Sequence, residues 1–216
     1  MHHLVEPVLV EPVAPVLVRN ILEHPGDFPW RMQAIGLLGL RLDDRREYRL
    51  HVWDPESLVD DPPVHDHPYD FTSLVIAGAL VNTRYEEAPK GIEQKGMEYA
   101  RHRYRPGDEP GRRTDTVRLV ARAATLSAGE RYSQSARELH SSGQVPGTVT
   151  LIRCGPFEDR ELTVCLAPGA PWVTGESRPA TAAEVRRITG AALDIFPARG
   201  PESSHGGNAA TGSVGP

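Results

Sequence analysis

The stretch Val64–Gly78, VHDHPYDFTSLVIAG, decides how this 216-residue chain is read. Two histidines stand one residue apart at the head of an apolar run. A strand sends residues i and i+2 to one face, so an extended segment presents His65 and His67 together. Neutral imidazole is a good ligand for iron, nickel, copper and zinc, and two on one strand need a third from elsewhere. His140 is the candidate: it follows a glycine-containing turn and a strand, and precedes a short loop and the apolar TVTLIRC of Thr148–Cys154.

The sequence on either side reads as more strands. EYRLHVWD (Glu47–Asp54) alternates, TVRLVARAATL (Thr116–Leu126) continues the rhythm, and TVTLIRC and ELTVCLA (Glu161–Ala167) close the series. Short strands divided by turn signals, with 20 glycines and 20 prolines and no βαβ alternation, predict an all-β sandwich or small barrel. The polar segment from Arg84 to Arg113 reads as a lid or hairpin, with MEYARHRY as one arm. Two short helices flank the strands. PVLVRNILE (Pro15–Glu23) ends before Pro25 and Gly26, and Thr181–Ile188 carries a capping box, Thr181 with Glu184, and Gly190 as its stop. The expected division is an N-terminal arm and short helix over 1–25, a barrel domain over 26–196 and a disordered tail over 197–216. The arm repeats Val5-Glu6-Pro7-Val8 as Val10-Glu11-Pro12-Val13, whose prolines enforce extended backbone; the tail is small, polar and aperiodic.

A formal net charge of -5 gives no general attraction to phosphate backbones, so nucleic acid is not an expected partner and a small-molecule substrate is. No apolar run reaches the roughly 20 residues of a membrane span. Two cysteines, Cys154 and Cys165, make no disulfide framework in a chain this long, which points to free thiols and a cytoplasmic protein.

These residues resemble the cupin superfamily, whose first motif is His-x-His, three or four residues, Glu, six residues, Gly. Here Gly78 is in place, and Phe71 or Thr72 stands where the acidic ligand belongs. Of the second motif His140 is kept, with Gly129 well ahead of it and Gln144 in the asparagine position. Loss of the glutamate leaves three histidines, similar to the cysteine dioxygenase branch, where His-Asp-His, Leu139-His140 and Gly155-Pro156-Phe157 also have counterparts. The likeness spans Tyr48–Phe157. It implies a double-stranded β-helix (jelly roll) and mononuclear Fe(II) on His65, His67 and His140, with three positions left for substrate and O₂. That branch carries Ser-x-His-x-Tyr where this chain has Thr150, Ile152 and Cys154. Isoleucine donates no proton and a thiol makes weaker hydrogen bonds than a phenol, so oxidation of cysteine itself is not implied.

The expected function is therefore a mononuclear Fe(II) oxygenase acting on a small organic molecule. The alternatives are a redox-neutral isomerase, cyclase or lyase using Zn, Ni or Mn as Lewis acid, and a non-catalytic binding module. Phe71, Leu74, Ile76 and Ile152 are expected to line a dry pocket, and Arg101 or Arg103 to clamp a carboxylate at its mouth. Asp70 lies off the His65 and His67 face by parity, which favours a turn or a role behind a ligand histidine. Thr72, Thr150 and Cys154 complete the pocket candidates. His51 and His102 read as packed or surface histidines in preference to ligands, and no catalytic residue beyond the metal set is assigned. The cupin likeness also implies a homodimer, with the Val-Glu-Pro arm as its swap element.

Overall fold

The computed structural model describes residues 14–57, 62–89, 96–105, 111–172 and 177–196; the Val-Glu-Pro repeat and the expected tail lie outside them. The strands are β1 (Arg31–Gln33), β2 (Leu37–Arg41), β3 (Tyr48–Trp53), β4 (Val64–His65), β5 (Phe71–Ala77), β6 (Ala79–Glu87), β7 (Met97–Tyr104), β8 (Arg112–Ser127), β9 (Arg131–Gln134), β10 (Leu139–Gln144), β11 (Val149–Cys154), β12 (Leu162–Leu166) and β13 (Ser177–Pro179). Helices α1 (Ala14–Glu23) and α2 (Ala182–Ile195) flank them.

The pairing defines the topology. Strand β3 pairs with β11, β4 with β10, β5 with β9 and β6 with β8, all antiparallel. Nested pairs of this kind are a ribbon folded at β6–β8 and wrapped round on itself. Its members fall alternately into two sheets, with β3-β11-β5-β9 in one and β4, β10, β6 and β8 in the other. That is an eight-stranded jelly roll, the small antiparallel barrel expected from the strand spacing. Strands β13, β1 and β2 extend the first sheet beyond β3. Strands β12 and β7 extend the second until it closes on itself as a ring, β10-β4-β12-β7-β8-β6.

Alternation along each strand divides the cores. On β11, Val149 and Leu151 join Leu50, Val52, Leu74 and Ile76 on the outer face of the first sheet, where Val18, Ile21 and Leu22 of α1 and Val185 and Ile188 of α2 cover them. Leu74 and Ile76 therefore pack under the helices and do not face the barrel interior. The opposite face of this sheet looks inward. At one end Leu37, Trp53, Val75 and Leu80 fill the interior; at the other Phe71, Ile152 and Cys154 pack with Tyr69 and Tyr132. A third core, built on Val64, Tyr99, Val117, Leu119 and Cys165, lies inside the ring.

Several local expectations are met and one is corrected. Strand β7 is the MEYARHRY arm, and with β8 it makes the Arg84–Arg113 excursion a hairpin in the sheet. The capping box of α2 forms, with the Thr181 amide donating to Glu184 Oε2 at 2.8 Å and the Glu184 amide donating to Thr181 Oγ1 at 3.3 Å. Gly190 does not stop the helix, which continues to Ile195. Glycine inside a helix costs only about 1 kcal/mol, and burial of Ala192 and Phe196 in the outer core outweighs it. The pairing of β1 with β2 and β13, unexpected from sequence, rests on strands of three to five residues. Gly78 has φ 77 at the β5–β6 turn, and a Cβ there would stand 2.7 Å from Thr148 Oγ1, so this position requires glycine.

Candidate metal centre

Register brings the first two ligands together. His140 on β10 is the Cα partner of His65 on β4, and their rings are 4.9 Å apart. Strand β4 ends at His65, so His67 lies in the segment after it and not on a strand. Backbone pairing continues nonetheless: the Asp66 amide donates to Thr163 O at 3.2 Å and the His67 amide to Ala136 O at 3.1 Å. The segment stays extended and His67 joins the other two. Its ring is 4.8 Å from that of His65, and its Nε2 is 2.8 Å from Nε2 of His140.

The residue between the histidines fixes the segment. Asp66 is buried on the opposite side, where Oδ1 accepts from the Thr163 amide at 2.8 Å and Oδ2 from Arg160 Nη1 at 2.9 Å. Arg160 Nη2 also donates to the carbonyls of His67 and Ala136. One buried ion pair thus clamps the backbone of the His-x-His segment to β12 and to the approach to β10.

Two ring orientations are set from behind. His65 Nδ1 lies 2.9 Å from Pro63 O, and His140 Nδ1 lies 3.0 Å from Asn82 Oδ1 on β6. Both partners are oxygen acceptors, so each Nδ1 carries the proton and each Nε2 turns a lone pair inward. Burial lowers all three histidines. His65 is below its ordinary value, His67 is well below it with the neighbouring His65 and His140 adding to the effect, and His140 is held at about 2 by burial, then His65 and Arg84. The three potential ligand nitrogens lie within 4.8 Å of one another. Nitrogens bound to one ion at about 2.1 Å stand roughly 3–4 Å apart, so the 2.8 Å pair is near ligand spacing and the widest pair closes with a ring movement of about 1 Å. Three neutral imidazoles, two of them with inward Nε2 lone pairs, fit a divalent transition metal.

Phe71, where a cupin glutamate would stand, faces this cluster, with its ring 5.0 Å from His67 and 5.8 Å from His140. Ile152 and Cys154 are buried beside it, and burial pushes the Cys154 thiol up. Thr150, buried on the same face of β11, sits opposite His51 of β3. Thr72 turns away to meet Ser133 at 3.1 Å, and Asp70 caps the Ala136 amide at 2.7 Å. Arg101 is ion-paired to Glu87 at 2.6 Å and Asp115 at 3.5 Å. It and Arg103 lie on β7, two strands from His65, roughly 10 Å by strand spacing. His102, on the same strand, packs against Trp172.

Tyr69 went unread in the sequence although it continues the parity of His65 and His67. Its ring is 5.6 Å from that of His67, and its hydroxyl accepts from Arg49 Nη1 at 2.6 Å. Burial pushes the phenol up to about 12, so it keeps its proton at neutral pH. Asn82, Asp66 and Arg160 were likewise missed. Only Asp66, as the middle residue of the motif, lay in view.

The fold and site together define a jelly-roll protein with a three-histidine cluster inside one end of the barrel. No protein-family model matches the chain and no curated protein matches it. Among solved structures it is similar to a cupin-like protein from Thermotoga maritima, at 14% identity over 74% of this chain and 87% of that one, with a TM-score of 0.24. The fold assignment accordingly rests on the strand order. Among the described residues no helix is long and apolar enough to cross a membrane.

Proposed function

We propose that the protein is a cupin-type metalloenzyme, similar to the three-histidine cysteine dioxygenase branch, that holds one Fe(II) on His65, His67 and His140 and oxygenates a small organic molecule. The observation supporting this reading is the inward convergence of three neutral imidazoles, two of them oriented by Pro63 O and Asn82 Oδ1. Iron in such a set would supply open coordination positions and redox chemistry. The chain's residues supply the surroundings. Phe71 and Ile152 exclude water, Tyr69 offers a hydroxyl that remains protonated, and Arg49, stacked over the Tyr69 ring at 4.9 Å, fixes that hydroxyl and contributes positive charge.

A redox-neutral enzyme with Zn, Ni or Mn, or a metal-bound sensor, is favoured by one observation. The interior face of β11 offers Thr150, Ile152 and Cys154, none of which moves a proton readily at neutral pH. Elemental analysis of protein purified without added metal, compared with His65→Ala and His140→Ala, tests the site. About one iron per chain, lost in both variants and accompanied by O₂ uptake, supports the oxygenase. Zinc or nickel lost in both moves the assignment to Lewis-acid chemistry, and metal unaffected by either substitution removes the site. We further propose a cytoplasmic homodimer, a setting that the buried free thiols Cys154 and Cys165 support. A purely monomeric sedimentation profile would count against the dimer.

A further inference from the structure

A cleft of about 2030 Å³ opens on the first sheet beside the histidine cluster. Tyr69 and Phe71 line it and also pack on His67, so they form the wall between cleft and cluster. Its charge is lopsided. Eight arginines line it against three carboxylates, Glu47, Asp70 and Glu138, in a chain whose overall charge is -5. Arg31, Arg41, Arg45, Arg46 and Arg49 come from β1 to β3 and the turn between β2 and β3, while Arg84, Arg153 and Arg186 come from β6, β11 and α2.

Most arginines outside the cleft are matched: Arg101, Arg118, Arg122, Arg160 and Arg187, for example, each have a carboxylate within 4.0 Å. Among the described residues no ion pair is made by any of the eight in the cleft. One acid of the β2–β3 turn, Asp43, accepts from the amides of Glu47 and Tyr48 at 3.2 and 2.9 Å. Partial desolvation, then the charges of Arg46, Arg49 and Arg31, lowers the Arg41 guanidinium below its ordinary value. The turn itself is strained: Arg46 holds φ 64, a conformation that costs a non-glycine residue roughly 1–2 kcal/mol. At the inner end two polar atoms, Arg49 Nε and His51 Nε2, are buried without a hydrogen-bond partner.

Uncompensated like charges, a strained arginine and orphaned polar atoms all oppose folding, and a bound anion relieves the first. Pockets for drug-sized ligands measure about 300–1,000 Å³, so this wider cleft has room for something longer. We propose that it binds an elongated organic anion carrying at least two phosphate or carboxylate groups, held by Arg31, Arg41, Arg46 and Arg49, with its inner end against the Tyr69–Phe71 wall. Binding of the anion is independent of the metal centre; that the bound molecule is also the one that reacts rests on the function proposed above.

Calorimetric titration with pyrophosphate, citrate, acetate and a short single-stranded DNA tests this. Pyrophosphate or citrate should bind at least tenfold more tightly than acetate, weaken with added salt, and lose at least tenfold in Arg41→Gln/Arg46→Gln; the stronger of the two identifies the group recognised. The control Arg118→Gln/Arg122→Gln, with the same change in net charge outside the cleft, should bind as wild type. Arg41 and Arg46 are exposed, and relieving their repulsion should leave the melting temperature unchanged or higher, so loss of binding will not reflect misfolding. Equal affinity for acetate, equal weakening in the control, or tightest binding to DNA overturns the proposal. Chelated protein should bind the anion unchanged; binding lost on chelation places the anion on a metal and likewise overturns it.

Discussion

The Nε2 atoms of His67 and His140 stand 2.8 Å apart although the two residues are 73 positions apart in sequence and lie on different segments of the ribbon. His140 is aimed by Asn82 on β6, and His67 by a loop clamped through Asp66 and Arg160. The geometry therefore depends on residues that touch no metal.

Asn82→Leu should weaken metal binding while leaving all three histidines present. It removes the acceptor that fixes His140 Nδ1–H, and losses behind a ligand usually cost about 10–100-fold in affinity. Competition against a chromophoric chelator measures this, and unchanged affinity would show that Asn82 does not orient the ligand.

Asp66→Asn should destabilise the fold by about 2–4 kcal/mol, because Arg160 would keep its charge in a site where it is largely buried. Metal content should fall with it as His67 loses its clamp. Urea unfolding together with elemental analysis follows both effects. Loss of stability at full metal content would separate the clamp from the site.

Asp54 and Arg187 join β3 to α2 through two contacts, at 2.6 and 2.8 Å. Hydrogen bonding to Arg187 lowers the Asp54 carboxyl below its ordinary value. A depressed folded-state value contributes stability above the ordinary carboxylate range, and that stability is lost as pH falls through the folded value. Asp54→Asn should cost about 1–2 kcal/mol at pH 7, a figure reduced because Arg187 is 35% exposed. The gap between wild type and variant should narrow below about pH 4. A gap that stays constant down to pH 2 would show that the pair does not control the acid limb.

Gly190→Ala should stabilise the protein by about 0.5–1 kcal/mol. Gly190 lies inside α2 and a Cβ there meets nothing within 4 Å. A melting temperature no higher than wild type would mean that the helix does not need its interior residues to be good helix formers.

The longer strands and all three histidines could be read from the sequence because alternation and motif spacing act over short distances. Register was also implicit once β4 and β10 were recognised as barrel strands. What supports the site was not legible. Arg160 reaches Asp66 across 94 positions, and Asn82 reaches His140 across 58, through pairings that no local pattern encodes. Arg101 and Arg103 looked suitable as clamps by composition; Arg101 has its own carboxylates, whereas the cleft arginines are gathered from β1 to β3, β6, β11 and α2, a convergence that no local pattern encodes. Gly190 misled because a helix-stop signal yields to packing further along the same helix.

Strands β4 and β10 have a core on each side. His65 and His140 point into the jelly roll, while their neighbours Val64 and Leu139 point into the ring closed by β12, β7 and β8. The ligand backbone is thus a party wall between two rooms. Its amides are sheltered from solvent on both faces, and a change of volume at Tyr99 or Leu119 can be felt at the histidines through a wall one residue thick. The strands that close the ring, β12, β7 and β8, contribute no ligand, and they are where the barrel's metal geometry can be adjusted without altering any residue that faces the cluster.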